Sequence, residues 1–172
     1  CAGREQTMAE VLVAYGSKMG GTAGIAERIA ETLRGRGHQV TLAAAGEAPK
    51  DRAWDAVVLG SGLYTGHWRR EAVDLLKHLA RSPQKAGRVW LFHSGPLGDE
   101  HADDPEPVPA KVQALAARLG AEEVVTFGGR FRAEDAAGFI AKAMAKGNVL
   151  GDWRRLDHAE AWANTIAGEL AG

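Results

Sequence analysis

The sequence predicts an α/β fold: a doubly wound, five-stranded parallel sheet with helices on both faces. Three observations carry this. Short, continuously apolar runs recur along the chain. Each is followed by a segment of helical periodicity, and strands that are apolar throughout are buried on both sides, as in a parallel sheet covered by its own crossover helices. At Glu10-Val11-Leu12-Val13-Ala14-Tyr15-Gly16-Ser17-Lys18-Met19-Gly20-Gly21-Thr22 one such run enters a loop of small and hydroxyl residues, and a helical pattern starts at once. The simplest strand order for this alternation is 2-1-3-4-5.

The elements follow in order. Val11–Tyr15 reads as the first strand. Gly21–Arg36 reads as the first helix, with Ile25, Ile29 and Leu33 on one face and Gly37 ending it. Gln39–Ala43 is an edge-like second strand, and Ala56–Leu59 a buried third strand entered from Trp54-Asp55. Trp68–Ala80 is an amphipathic helix with Ala72, Leu76, Leu79 and Ala80 inward, and Val89–Phe92 is the fourth strand. Val108–Leu119 places Val108, Val112, Leu115 and Leu119 on one helical face, and Glu123–Phe127 is the fifth strand. Ala133–Lys146 and His158–Leu170 read as closing helices, the last carrying Trp162, Ile166 and Leu170. There is no internal repeat. Residues 8–172 read as one domain, and the polar stretch 1–7 ahead of Met8 as a non-native or disordered extension.

Composition narrows the function. The chain has 172 residues, 45% hydrophobic and 25% charged, which suits one domain with a full core. A net charge of −1 leaves no basic footprint for nucleic acid. No apolar run approaches the ~20 residues that span a bilayer, so no stable membrane insertion is expected. Cys1 is the single cysteine, so there is neither a disulfide framework nor a cysteine metal cluster. His101 stands among Asp99, Glu100, Asp103 and Asp104 without ligand spacing and reads as a solvated loop; no metal site is expected.

The glycine-rich loop after the first strand has the makings of an anion site. The first N–H groups of a helix lack internal partners, and the helix dipole adds partial positive charge there. Its type can be narrowed. Gly16 and Gly21 have the spacing of a Walker loop, but Thr22 follows Gly21 directly, with no lysine between. The glycines Gly16, Gly20 and Gly21 do not make the G-x-G-x-x-G dinucleotide fingerprint either. What remains suits one terminal phosphate held by Ser17, Thr22 and the amides of Met19, Gly20 and Gly21, with Lys18 nearby.

Ligands of open α/β sheets sit beyond the carboxyl ends of the strands where strand order reverses. Two further loops reach that place. Gly60-Ser61-Gly62-Leu63-Tyr64-Thr65-Gly66-His67-Trp68 combines a free backbone with the flat faces of Tyr64 and Trp68. Ser94-Gly95-Pro96-Leu97-Gly98-Asp99 is a strip rich in backbone amides. A phosphate cradle beside an aromatic loop and a glycine loop suits a planar heterocycle on a phosphorylated tail, with FMN the leading candidate. Tyr64 and Trp68 either stack on the ring or anchor the following helix. His67 is better suited to a helix cap or structural hydrogen bond than to proton donation. Trp54, Trp90 and Trp162 stand at packing positions. Arg69, Arg70, Arg130 and Arg132 either line the cleft or are solvated charges. Asp152 and Trp153 precede the last helix as a cap and a lid. Acidic residues after the first strand and an Asp ending the third, which a phosphoacceptor domain needs, are absent, as is a Gly-x-Ser-x-Gly nucleophile elbow.

These three loops, in this order and spacing, resemble the flavodoxin family, and the resemblance covers Glu10 to Leu170. It is closest to the branch around the menaquinone-dependent protoporphyrinogen IX dehydrogenase. The 60–68 loop looks like that branch's G-[SA]-x-[IL]-x-x-G-H segment. Gly128-Gly129-Arg130-Phe131-Arg132, the helical pattern to Lys146, Gly151-Asp152-Trp153-Arg154 and Trp162 also follow it. The resemblance implies a flavodoxin-like fold, FMN as cofactor and the three loops as its site. Three departures stand out. Met19 replaces a hydroxyl residue of the usual phosphate loop. The acidic run Gly98–Pro107 replaces a basic and apolar insertion. The charge is nearly neutral, unlike the strongly acidic electron carriers. The resulting expectation is a cytoplasmic, FMN-binding oxidoreductase with a small-molecule or protein redox partner and no catalytic acid or base legible in the sequence. An electron-carrier flavodoxin, a non-enzymatic binding domain that has lost FMN, and a deazaflavin user are the alternatives.

Overall fold

A computed structural model of the chain describes residues 8–16, 21–64, 66–95, 107–121, 124–127, 130–131, 151–152 and 156–171. Its elements are β1 (Glu10–Gly16), α1 (Gly21–Gly35), β2 (Gln39–Ala44), β3 (Ala56–Tyr64), β4 (His67–Trp68), α2 (Arg70–Arg81), α3 (Pro83–Ala86), β5 (Arg88–Ser94), α4 (Ala110–Leu119), β6 (Val124–Phe127), β7 (Arg130–Phe131), β8 (Gly151–Asp152) and α5 (Leu156–Ala171).

The main sheet runs β2-β1-β3-β5-β6, all parallel, with β4 folded back antiparallel on β3. Counting its five long strands, this is the anticipated 2-1-3-4-5 order. The short strands β7 and β8 pair antiparallel in a separate ribbon, Arg130 opposite Asp152 and Phe131 opposite Gly151.

Alternation along each strand divides the core into two layers. Val11, Val13, Ala56, Val58, Phe92 and Phe127 pack with Ile25, Ile29 and Leu33 of α1 and with Ala159, Ala163 and Ile166 of α5. Leu12, Ala14, Val57, Leu59 and Leu91 pack with Leu75, Leu76 and Leu79 of α2 and with Val112 and Ala116 of α4. Both faces of the central strands are therefore dry, which is why their sequences are apolar without alternation.

Trp54 lies in the α2–α4 layer, 5% exposed, with the Arg52 guanidinium 3.9 Å from its ring centre. Trp162 packs edge-on against Phe92 and Phe127 at 5.9 and 5.7 Å between ring centres. Trp90 is half-buried, and its indole N–H donates to Glu169 Oε2 at 3.2 Å. All three thus have the packing roles anticipated for them.

The boundaries shift where pairing overrides local composition. The third strand continues past Leu59 to Tyr64, because Ser61 still pairs with Gly16 of β1 and Gly62 with Ser94 of β5. Glycine has low strand propensity, but a strand with neighbours on both sides gains ladder bonds that outweigh it. Trp68 belongs to β4 rather than to a helix, so α2 begins at Arg70. The first turn of the Val108–Leu119 pattern is not helical: Pro109 disfavours helical geometry at Val108, and α4 starts at Ala110. Between β2 and β3 there is a single 3₁₀ turn, Ala45–Glu47, so no full helix from that crossover covers β2. The extension 1–7 and the helix expected over 133–146 lie outside the described residues.

Candidate functional site

The carboxyl ends of β1, β3 and β5 lie side by side, Gly16 opposite Ser61 and Gly62 opposite Ser94. The strand order reverses here, since β1 leads outward to β2 while β3 leads to β5. Three of the expected binding segments begin at this edge. α1 starts at Gly21, five residues after the end of β1, so its unpartnered N–H groups point toward the same edge. A Cβ on Gly16 would stand 2.9 Å from Arg69 Cβ and 3.0 Å from Ala72 Cβ. Glycine there lets the first turn of α2 close against the end of β1.

Two hydroxyls converge at this edge. Thr22, in the first turn of α1, is 2% exposed, and its Oγ1 is 2.8 Å from Oγ of Ser94, which is 5% exposed. Each hydroxyl has one donor hydrogen and two acceptor sites, so a single shared bond leaves capacity on both. The pair couples the helix N-terminus to the end of β5.

The 60–68 loop is a hairpin. β3 overruns the sheet and the chain returns as β4, with Leu63 opposite Trp68 and Tyr64 opposite His67. Gly66 takes φ +79°, which the turn requires and which side-chain-bearing residues rarely adopt. Ser61 is fully buried; its hydroxyl donates to Gly62 O at 2.9 Å and accepts from Arg69 N–H at 2.8 Å, fastening the exit of the hairpin to its entry. Gly95 closes the gap from the other side: its N–H donates to Phe127 O at 3.3 Å, and a Cβ there would stand 3.0 Å from Leu63 Cβ.

Two expectations for this loop change. Trp68 offers no open face to a ring: it is 6% exposed and packed in the α2–α4 layer. Its indole N–H, a donor that burial must satisfy, donates to His93 Nδ1 at 3.2 Å. His67 is exposed on β4 and does not cap α2, whose N-cap position is Arg69 with no side-chain cap bond. Tyr64 has its backbone in the hairpin ladder.

His93 was not singled out in the sequence. It is fully buried on β5, and burial lowers its pKa to about 4. Because the Trp68 indole can only donate, Nδ1 must accept, which places the proton on Nε2, 2.9 Å from Thr126 Oγ1. Neutral His93 thus links β4 to β6 across the carboxyl edge. A histidine ending an apolar strand run, beside Ser94, was the signal available for it.

Arg69 and Arg70 are engaged locally. Arg69 pairs with Glu71 at 3.3 Å, and Arg70, 90% exposed, approaches Asp74 at 3.9 Å. Arg130 and Asp152 face each other in the β7–β8 ribbon by backbone pairing, so Asp152 is a strand residue rather than a helix cap. Residues Ser17, Lys18, Met19 and Gly20, together with Thr65, Pro96, Leu97, Gly98, Asp99, His101, Arg132 and Trp153, lie outside the described residues. Among the described residues no group of three His, Cys, Asp or Glu could hold a metal, and no helix is long and apolar enough to cross a membrane.

A parallel 2-1-3-4-5 sheet, with a helix N-terminus and hydroxyls at its reversal point, defines a flavodoxin-like domain. The chain belongs to the flavodoxin domain family, whose profile matches residues 12–146. Solved structures share the fold. A flavodoxin from the domain Archaea is 14% identical with a TM-score of 0.65, over 95% of this chain and 99% of that one. Flavodoxin 2 from Bacillus cereus is 20% identical with a TM-score of 0.62, over 94% of this chain and 99% of that one. The rubredoxin oxygen:oxidoreductase of Desulfovibrio gigas is 16% identical with a TM-score of 0.64, over 94% of this chain; the match spans only 36% of that larger protein. Membership of the family implies FMN as the cofactor. The described residues fit it at the phosphate end, where the α1 N-terminus, Gly21 and the buried hydroxyls of Thr22 and Ser94 meet.

Proposed function

We propose that this chain is an FMN-dependent oxidoreductase of the quinone- or protoporphyrinogen-dehydrogenase type, working in the cytoplasm with a small-molecule or protein redox partner. The observation that carries the reading is the buried Thr22–Ser94 hydroxyl pair at the reversal point of the sheet. A pair of hydroxyls beside a helix N-terminus is suited to a phosphate monoester, because donors there meet the favourable end of the helix dipole. Thr22, Ser94 and the first N–H groups of α1 would hold the phosphate. The hairpin 61–68 and Gly95 would face the ring, with backbone amides for its polar edge. FMN when bound supplies hydride or single-electron transfer; the protein supplies binding, orientation and exclusion of water.

The resemblance of the 60–68 loop and of the 128–132 and 151–154 segments to the protoporphyrinogen dehydrogenase branch supports an enzyme over a carrier. So does the nearly neutral charge. The carrier reading has one observation in its favour: two solved flavodoxins are matched over 99% of their own length. The visible absorption spectrum of purified protein, with the mass of the released cofactor, tests the proposal. FMN in stoichiometric amount is the expected result. A deazaflavin or a colourless protein that cannot be loaded with FMN would overturn it. Quinone reduction by the loaded protein without a second redox protein would separate enzyme from carrier.

A further inference from the structure

The hydrogen-bonded chain from Trp68 through His93 to Thr126 lies beneath the hairpin that faces the reversal point of the sheet. Trp68 Nε1–H donates to His93 Nδ1 at 3.2 Å, and His93 Nε2 is 2.9 Å from Thr126 Oγ1. All three residues are at least nine-tenths buried, at 6%, 0% and 8% exposure. The indole and imidazole meet edge-on, 6.2 Å between centres. The three come from different strands, β4, β5 and β6. His93 stands opposite Ser61 on one side and Thr126 on the other in the sheet register. Leu91, two residues earlier on the same face, packs in the α2–α4 layer. The chain is therefore a polar layer at the carboxyl end of that core.

We propose that His93 is a positioning residue: by accepting the Trp68 N–H it holds the returning arm of the hairpin, and so fixes the loop that receives the flavin ring. β4 is two residues long and, among the described residues, pairs only with β3. A ladder of two residue pairs is too short to hold a fixed geometry by itself. Ser61 binds Arg69 N–H just after the arm, and Leu63 meets Gly95, but inside the arm itself Trp68 is the buried anchor. An indole anchored by a directed hydrogen bond fixes rotation as well as depth, whereas apolar packing alone fixes depth. The acceptor must be neutral at Nδ1, and burial keeps His93 in that form.

This inference rests on the flavin reading, and the test separates the two. Affinities for FMN and riboflavin would be measured by flavin fluorescence for wild type, Trp68→Phe, His93→Leu, their double variant, and His93→Asn. The asparagine side chain can present an acceptor near the place of Nδ1. If the hydrogen bond positions the loop, Trp68→Phe and His93→Leu weaken both flavins in parallel by about 10-fold, the size of one hydrogen bond's loss. The double variant is then no weaker than either single one, and His93→Asn recovers most of the affinity. A merely structural role lowers the melting temperature while leaving both affinities and the bound-flavin spectrum as in wild type; that result would overturn the proposal and leave the flavin reading intact. A wild-type protein that binds neither flavin overturns both. Should His93→Leu fail to fold, Trp68→Phe, which removes the donor and keeps an aromatic in the core, carries the same comparison.

Discussion

The ring of Phe92 occupies the space that a side chain on Gly60 would need. The two residues are paired across β3 and β5, and a Cβ built on Gly60 would stand 2.1 Å from Phe92 Cζ and 2.3 and 2.4 Å from its Cε atoms. The ring cannot simply swing away. It is fully buried and meets Phe127 and Trp162 edge-on, each 5.9 Å between centres.

Gly60→Ala should therefore destabilise the fold by about 1–3 kcal/mol, the range for overpacking a rigid core. Phe92→Leu on its own leaves a smaller side chain over Gly60 and costs stability through lost packing. Combined, the two changes should be less harmful than their sum, with a coupling of about 1 kcal/mol or more. Urea unfolding of the wild type, both single variants and the double variant measures this. Strict additivity would mean that Phe92 is not what excludes a side chain at position 60.

A second expectation concerns acid. Burial lowers the His93 pKa to about 4, while in the unfolded chain it lies near 6.5. Between these values the unfolded state binds more protons than the folded one, so stability rises with pH across that window. The contribution is complete above pH 6.5 and is lost as pH falls towards 4. Its ceiling is about 3 kcal/mol, from the size of the shift. His38, which accepts the Ala9 N–H, is also lowered, by burial first and then by Arg36, and acts in the same direction. Urea midpoints at pH 7, 6 and 5 should fall more steeply for the wild type than for His93→Asn. Parallel slopes would show that His93 titrates alike in both states.

Much of this architecture was legible because periodicity reports burial directly. The apolar runs at Val11–Tyr15, Ala56–Leu59 and Val89–Phe92 mark the strands that are covered on both faces, and the alternation with helices marks the sheet as parallel. What periodicity does not report is pairing. The overrun of β3 to Tyr64 and the return of Trp68 as β4 depend on neighbours supplied from distant sequence, and Gly60, Ser61 and Gly62 read locally as loop. Trp68 shows the same limit at the site. Its position beside glycines suggests a stacking face, but the fold buries it in the α2–α4 layer with its N–H on His93, 25 residues away. The Thr22–Ser94 contact joins two residues that the sequence had assigned separately to two loops, and only the fold shows that they meet.

Thr22→Val tests that contact as a phosphate site. The substitution keeps shape and removes the hydroxyl. Loss of a hydrogen bond to a charged group corresponds to about 1.5–3 kcal/mol, so FMN affinity should fall ~10- to 100-fold. Riboflavin has no phosphate and should bind the variant as it binds the wild type. This pattern differs from the parallel loss expected for Trp68→Phe, which distinguishes the two ends of the cofactor. Unchanged FMN affinity in Thr22→Val would remove the α1 N-terminus from the phosphate site.

The last expectation concerns the electron-exchange partner. Protoporphyrinogen carries two propionates, so an acidic mouth disfavours it. By sequence, Asp99, Glu100, Asp103, Asp104 and Glu106 follow directly on the Ser94–Gly98 strip. Among the described side chains, two arginines that could offset them are engaged nearby. Arg69 is paired with Glu71, and Arg70 approaches Asp74 while remaining 90% exposed, where its charge is strongly screened. With a Debye length of ~8 Å at physiological salt, the charges nearest the ring decide. A neutral quinone should therefore turn over faster than protoporphyrinogen in steady-state assays of FMN-loaded protein. Replacing Asp103 and Asp104 by Asn should raise protoporphyrinogen oxidation selectively, and more so at low salt. Efficient protoporphyrinogen turnover that is indifferent both to these substitutions and to salt would show that the acidic segment does not face the flavin.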